Sequence, residues 1–134
     1  MAGYSTTPLI KKLGIKENMS LLVLHEPEDY FRLLGPLPNN VSIHTHGAMF
    51  DVIHFFAISH MQLEKMFDFL LKSMKYSGMM WISWPKKTSH IVSDLHENEI
   101  REIGLSHGLV DVKVCAIDET WSGLKFVYRV QDRK

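Results

Sequence analysis

Apolar runs alternate with segments of helical spacing along this chain. The predicted strands are residues 19–24, 41–45, 50–58, 79–84, 109–117 and 124–130. The runs at 19–24 and 50–58 are almost continuously apolar, which is typical of central strands covered by helices on both faces. The run at 41–45 is short and weakly apolar, which favours an edge position.

Four helices are predicted between these strands from their start and stop residues. Pro8 and Pro27 each suit the first turn of a short helix, and Gly14 and Gly35 end those helices. Ser59 is the predicted N-cap of a long helix that runs to Ser77 and Gly78, and a fourth helix covers residues 94–108.

This order of elements predicts a single α/β domain over residues 1–134, with residues 1–7 as a mobile arm. Strands that alternate with helices favour a mostly parallel sheet in a three-layer, Rossmann-like arrangement. The last two strands are joined by a short turn, so they are expected to form an antiparallel hairpin.

Several stretches resemble the class I S-adenosylmethionine (SAM)-dependent methyltransferase fold. They are the strand at 50–53, the long helix that follows, the strand at 77–82 and the closing hairpin. The resemblance implies a sheet order of 2-1-3-4-6-5 with strand 6 antiparallel. In that fold a glycine-rich turn follows the first strand and an acid ends the second, but here no glycine lies between Ser20 and Leu34 and no acid ends the second strand. The sequence therefore predicts no cofactor, with SAM as the alternative.

Two long strings resemble a family of small bacterial proteins catalogued only as a domain of unknown function. They are Trp-Ile-Ser-Trp-Pro-Lys-Lys at 81–87 and the run at 108–127 that contains Asp-Glu-Thr-Trp-Ser-Gly-Leu. The opening Gly-Tyr-Ser and the later Pro-Leu-Ile-Lys-Lys-Leu-Gly also match. This resemblance implies a bacterial cytosolic protein and assigns no activity.

Charge and composition narrow the classes of partner. Lys plus Arg equals Asp plus Glu at 15 each, hydrophobic residues make up 46% of the chain, and the sequence pI is about 7.1. This balance gives no basic footprint for nucleic acid, and weak repulsion between copies permits a homo-oligomer. Cys115 is the single cysteine, so no internal disulfide forms. We expect a cytoplasmic location, because no signal peptide or membrane span is visible.

The candidate site follows the strand at 79–84, where Trp84 and Pro85 precede Lys86, Lys87 and Ser89. The carboxyl ends of strands in open α/β sheets carry ligand sites, and lysines with hydroxyls suit an anion. The alternative is that the lysines pair with Asp118 and Glu119, which follow the fifth strand. The other candidate residues are Trp121 as a core residue or ligand wall, and Glu26 and Ser59 beside Trp84 as the pocket of a SAM enzyme.

Eight histidines raise the possibility of a metal site, yet they show no established ligand spacing. We also find no nucleophile elbow. The main interpretation is therefore a non-catalytic module that binds a small anionic ligand or a protein partner. The alternatives are a diverged SAM-dependent methyltransferase with a remodelled cofactor loop, and a homo-oligomeric structural subunit.

Overall fold

The fold is described from a computed structural model, which covers residues 7–47 and 49–133. The expected mobile arm at 1–7 falls almost entirely outside these residues. The helices are α1 (Leu9–Leu13), α2 (Tyr30–Leu34), α3 (His60–Ser73) and α4 (Glu97–Ser106). The strands are β1 (Ser20–Leu24), β2 (Ser42–His44), β3 (Phe50–Phe56), β4 (Met74–Pro85), β5 (Leu109–Ala116) and β6 (Trp121–Tyr128), followed by a 3-10 turn at Val130–Asp132.

The six strands form one mixed sheet in the order β2-β1-β3-β4-β6-β5. Strands β1 to β4 are parallel, and β6 is antiparallel to both β4 and β5. The predicted order and the antiparallel sixth strand are confirmed. β2 is a short edge strand, as its weak apolar pattern indicates.

Each face of the sheet carries its own layer of core side chains. On one face α3 and α4 pack Phe67, Leu70 and Ile100 against the strands, and Trp84 belongs to this layer. On the other face α1 and α2 cover a second layer, which includes Trp81. The two tryptophans therefore point to opposite sides of the sheet.

The boundary between α3 and β4 differs from the sequence prediction. α3 ends at Ser73, and Met74 already pairs with Phe50 of β3. Gly78, predicted to end the helix, lies within β4 beside an irregularity in β3, where an added Cβ would lie 2.9 Å from the Asp51 carbonyl oxygen. Glycine is therefore required at this position by a close approach of two strands and not by a helix end.

β5 lies at the edge of the sheet and exposes part of its apolar sequence. Val112 and Val114 are 54% and 46% exposed. The register with β6 shifts between Asp111 and Lys113, so the strand carries a bulge there. The bulge and the edge position leave these two valines facing outwards. Within the described ranges, no helix has the length and apolar character needed to cross a membrane.

Candidate functional site

The topology creates a crevice at the carboxyl ends of β1 and β3. The chain leaves β1 towards β2 on one side, and it leaves β3 towards β4 on the other. Ligands of open α/β sheets bind at such a switch point, because the two connections diverge and leave a gap between them.

The turn after β1 has a left-handed backbone without a glycine. His25 directly follows the strand and has φ of 60°. Histidine adopts this region more readily than most side chains, although glycine does so at lower cost. The His25 ring packs against Phe55 of β3, with the ring centroids 5.0 Å apart. The chain therefore makes its sharp first turn with a residue that also braces the neighbouring strand.

Gln62 of α3 links the two sides of the crevice. Its Oε1 accepts a hydrogen bond from the Ile58 backbone N–H at 2.9 Å, and its Nε2 donates to His25 Nδ1 at 3.0 Å. Ser59 caps α3 by accepting the Gln62 backbone N–H at 3.1 Å. The end of β3, the start of α3 and the first turn are thus held together by one side chain.

A cavity of about 450 Å³ lies next to this crevice, between the start of α3 and the segment before α4. Its lining residues are Ile58, Ser59, Gln62, Val92, Ser93 and Asp94. Ile58 and Val92 are 44% and 91% exposed, so both offer apolar surface to an incoming molecule. Asp94 accepts the His60 backbone N–H at 2.8 Å and fixes the 92–94 segment against the start of α3.

The structure divides the sequence-predicted residues between separate places. Ser59 lines the crevice cavity, whereas Trp84, Lys86 and Lys87 line a second cavity of about 680 Å³ between the end of β4 and α4. Glu26 lies in the turn after β1. Burial of the Tyr30 hydroxyl raises the pKa of Tyr30, and the negative charge of Glu26 adds to this effect. In the part of the chain that the structure describes, Ser59 and Trp84 therefore line separate cavities.

Ser89 belongs to the turn after β4. Its backbone N–H donates to the Lys86 carbonyl oxygen at 3.0 Å, and its hydroxyl accepts the Ile91 N–H at 3.4 Å. These contacts shape the loop between β4 and α4. Ser89 does not line the cavity that contains the two lysines.

A third cavity of about 630 Å³ contains Asp118 and Glu119, together with Asp29 and Lys12. The Asp118 carboxylate accepts the backbone N–H groups of Thr120 and Trp121 at 2.8 and 2.7 Å, so it closes the turn between β5 and β6. In the part of the chain that the structure describes, Lys87 forms no ion pair with either acid.

Trp121 is 7% exposed and belongs to the core layer of α1 and α2. Its indole meets the Phe56 ring edge-on, with the ring centroids 5.0 Å apart. Of the two sequence-based alternatives for this residue, the structure places it in the core.

A buried polar chain beneath the crevice was not predicted from the sequence. The Tyr30 hydroxyl lies 2.9 Å from His54 Nδ1, and His54 Nε2 lies 2.7 Å from the Ser83 hydroxyl. Burial lowers the pKa of His54 to about 3, so the ring is neutral at physiological pH. The Tyr30 and Ser83 hydroxyls can each donate or accept, so both ring nitrogens of the neutral imidazole have a partner. The sequence does contain one sign of this chain, because His54 lies within the apolar run at 50–58 and must therefore be buried with a hydrogen-bond partner.

The histidines that could bind a metal ion lie in different places. His54 is enclosed in the sheet, whereas His25 and His60 lie at its carboxyl edge. Over residues 7–47 and 49–133, no group of three or more His, Cys, Asp or Glu side chains is arranged to hold a metal ion.

Several solved structures have an architecture similar to that of this chain. One similar structure is magnesium protoporphyrin IX methyltransferase from Synechocystis PCC 6803 with bound SAH, with 10% identity, a TM-score of 0.58, and coverage of 90% of this chain and 78% of that one. A SAM-dependent methyltransferase from Aquifex aeolicus has 15% identity, a TM-score of 0.59, and coverage of 88% and 86%. The chain has a methyltransferase-like fold.

A third structure with this methyltransferase-like fold is a DhpI–SAH complex. It has 11% identity and a TM-score of 0.61, with 91% of this chain and 81% of that one covered. No protein-family model and no curated protein matches the chain. At these identities the likeness establishes the fold.

These comparisons correct two sequence-based predictions. The main interpretation was a non-catalytic binding module, and the prediction for cofactors was none. Many structures of similar fold are methyltransferases, and several contain SAH or SAM. The absence of a glycine-rich turn misled the prediction, because His25 provides the left-handed backbone at that turn. The fold is the one that the alternative interpretation, a diverged SAM enzyme, predicted.

Proposed function

We propose that the chain binds S-adenosylmethionine in the crevice between β1 and β3 and is a diverged methyltransferase. The observation that carries this proposal is the cavity of about 450 Å³ at the end of β3, whose lining residue Gln62 bonds to His25 in the turn after β1. Bound SAM supplies an electrophilic methyl group on a sulfonium sulfur. The protein would bind and orient it.

The lining of the crevice suits the nucleoside part of this cofactor. Ile58 and Val92 present apolar surfaces against which a flat adenine ring can pack. Ser59, Gln62 and Asp94 place a hydroxyl, an amide and a carboxylate in the same cavity, and these groups can bond to the edge of the base or to ribose hydroxyls.

The first turn would contribute differently from a glycine-rich loop. Gln62 ties His25 to the end of β3 through a side-chain contact that is exposed to solvent. A ligand in the crevice can therefore bond to the Gln62 amide, or replace it as the partner of His25, without a movement of the backbone. We infer that recognition comes mainly from the β3 and α3 side of the crevice.

A thermal-shift experiment with S-adenosylhomocysteine (SAH) tests this proposal. Ligand at about 100 times its Kd stabilises the native state by about 2.7 kcal/mol, so the melting temperature should rise. Ile58→Asp places a charge on the apolar wall and should abolish the shift. Met61→Asp is a matched control, because Met61 is 65% exposed and does not line the cavity. An SAH shift that is equal in both variants would contradict the assigned site.

We further propose that the chain belongs to the small bacterial family that it resembles and acts in the cytoplasm. The strings at 81–87 and 108–127 support the family assignment. The single half-buried Cys115, whose pKa is raised by burial, suits a reducing compartment.

A further inference from the structure

The second cavity, between the end of β4 and the start of α4, has an apolar floor. Trp84 and Leu95 are only 7% and 2% exposed, and Pro85 is also buried. The cavity volume of about 680 Å³ is within the range of small-molecule sites. A ligand seated here would contact an indole and aliphatic surface.

The polar side chains around this floor are rich in hydrogen-bond donors. Lys86 and Lys87 carry ammonium groups that only donate, and Ser122 adds a hydroxyl. The Trp81 indole N–H donates to the Leu13 carbonyl oxygen at 3.0 Å, whereas the Trp84 N–H has no acceptor among the described residues. No described side-chain nitrogen is both fully buried and unpaired, so the N–H of Trp84, which lines this cavity, is accessible to solvent.

The two carboxylates in the lining are occupied by partners of their own. Glu97 pairs with Arg101, which also bonds to Asp111 at 2.8 Å. Glu99 accepts the His96 backbone N–H at 3.1 Å in a capping box at the start of α4. Because both carboxylates already have partners, they reduce the positive charge that the two lysines bring to the cavity less than two unpaired acids would.

We propose that this cavity binds a small molecule that combines a flat apolar body with a carboxylate or phosphate group. The apolar floor would hold the body, and the lysines with the Trp84 N–H would hold the oxyanion. This site is distinct from the cavity that Ile58 lines. The two are adjacent along the chain, because Val92–Asp94 line the Ile58 cavity and Leu95–Glu99 line this one. The inference does not depend on cofactor binding.

Calorimetric titration with phenyl phosphate and with benzoate tests the site. We expect saturable binding of at least one of the two, and the one that binds identifies the oxyanion. Lys86→Ala combined with Lys87→Ala should weaken binding about tenfold, because two charged contacts that are open to solvent are removed. Trp84→Phe keeps an aromatic floor and removes the N–H, so a smaller loss of about threefold is expected.

Lys72→Ala is the matched control, since it removes one exposed lysine from the end of α3. Its affinity for the probe should equal that of the unaltered protein, and benzylamine, a cation with the same ring, should not bind. The proposal is overturned if neither oxyanion binds at about 10 mM, or if the double lysine variant and Lys72→Ala bind equally well. SAH titrated into the same proteins separates this outcome from a failure of the proposed cofactor site.

Discussion

His54 shows how one buried polar side chain joins three elements below the crevice. Its ring lies between Tyr30 of α2 and Ser83 of β4, and it stacks on Phe56 with the centroids 4.3 Å apart. Each polar atom has a partner, so the cost of burying the imidazole is offset by hydrogen bonds. Tyr30 follows the first turn by a few residues, and the contact therefore anchors that turn to the sheet.

Removing the Tyr30 hydroxyl should destabilise the protein. Tyr30→Phe leaves His54 Nδ1 buried without its hydrogen-bond partner, which costs about 1–3 kcal/mol of unfolding free energy. Urea denaturation measures the change. Tyr128→Phe is the control, because this hydroxyl has no hydrogen bond within the described residues and should change stability by less than about 0.5 kcal/mol. Equal effects of the two substitutions would contradict the role given to the buried chain.

The lowered pKa of His54 predicts a dependence of stability on pH. The pKa of His54 in the folded protein is about 3, whereas the ordinary pKa of histidine, 6.5, applies in the unfolded chain. Between these values the unfolded state binds more protons, so stability is present above pH 6.5 and is lost as pH falls. Between pH 7 and pH 5 the loss from this group should be about 2 kcal/mol.

Urea denaturation at the two pH values measures this loss, and His54→Gln provides the comparison. Without the buried imidazole, most of the difference between pH 7 and pH 5 should disappear. A difference of the same size in both proteins would show that other groups cause it.

At the scale of elements, contacts between neighbouring strands determine where α3 ends, and the local sequence pattern does not show this boundary. The sequence predicts the apolar face of α3 and its N-cap at Ser59, and the structure shows both. The end of the helix is not readable, because Met74 is drawn into pairing with Phe50 and Gly78 lies against the backbone of Asp51. These are contacts between residues distant in sequence, so helix signals alone misplace the boundary.

Gly104 is an element-scale case where packing should outweigh helix propensity. Alanine is preferred over glycine within a helix by about 1 kcal/mol. A Cβ at position 104 of α4 would, however, overlap the Phe126 ring of β6. Overpacking of this kind costs about 1–3 kcal/mol, so Gly104→Ala should give net destabilisation in thermal or urea unfolding.

A double-mutant cycle tests the cause. If the clash is with the ring, Gly104→Ala combined with Phe126→Leu should be less destabilised than the sum of the two single variants by about 1 kcal/mol. Stabilisation by Gly104→Ala alone would show that propensity wins.

For the whole molecule, the sequence carries more information about topology than about chemistry. Continuous apolar runs at 19–24 and 50–58 identify β1 and β3 as central, and the alternation with helices fixes the parallel arrangement. The crevice depends on His25, Gln62 and Ile58, which come from three segments and match no motif. The first turn lacks glycine, so a reading based on that motif predicts no cofactor, whereas the backbone still turns in the left-handed region.

The central claim is that this methyltransferase-like fold binds an adenosyl cofactor at the β1–β3 crevice. The most direct measurement is a calorimetric titration of SAH into the unaltered protein, Ile58→Asp and Met61→Asp. Saturable binding at one site per chain, lost in Ile58→Asp and kept in Met61→Asp, is the predicted result. If neither SAH nor SAM produces binding heat at about 1 mM at two temperatures, the claim is wrong.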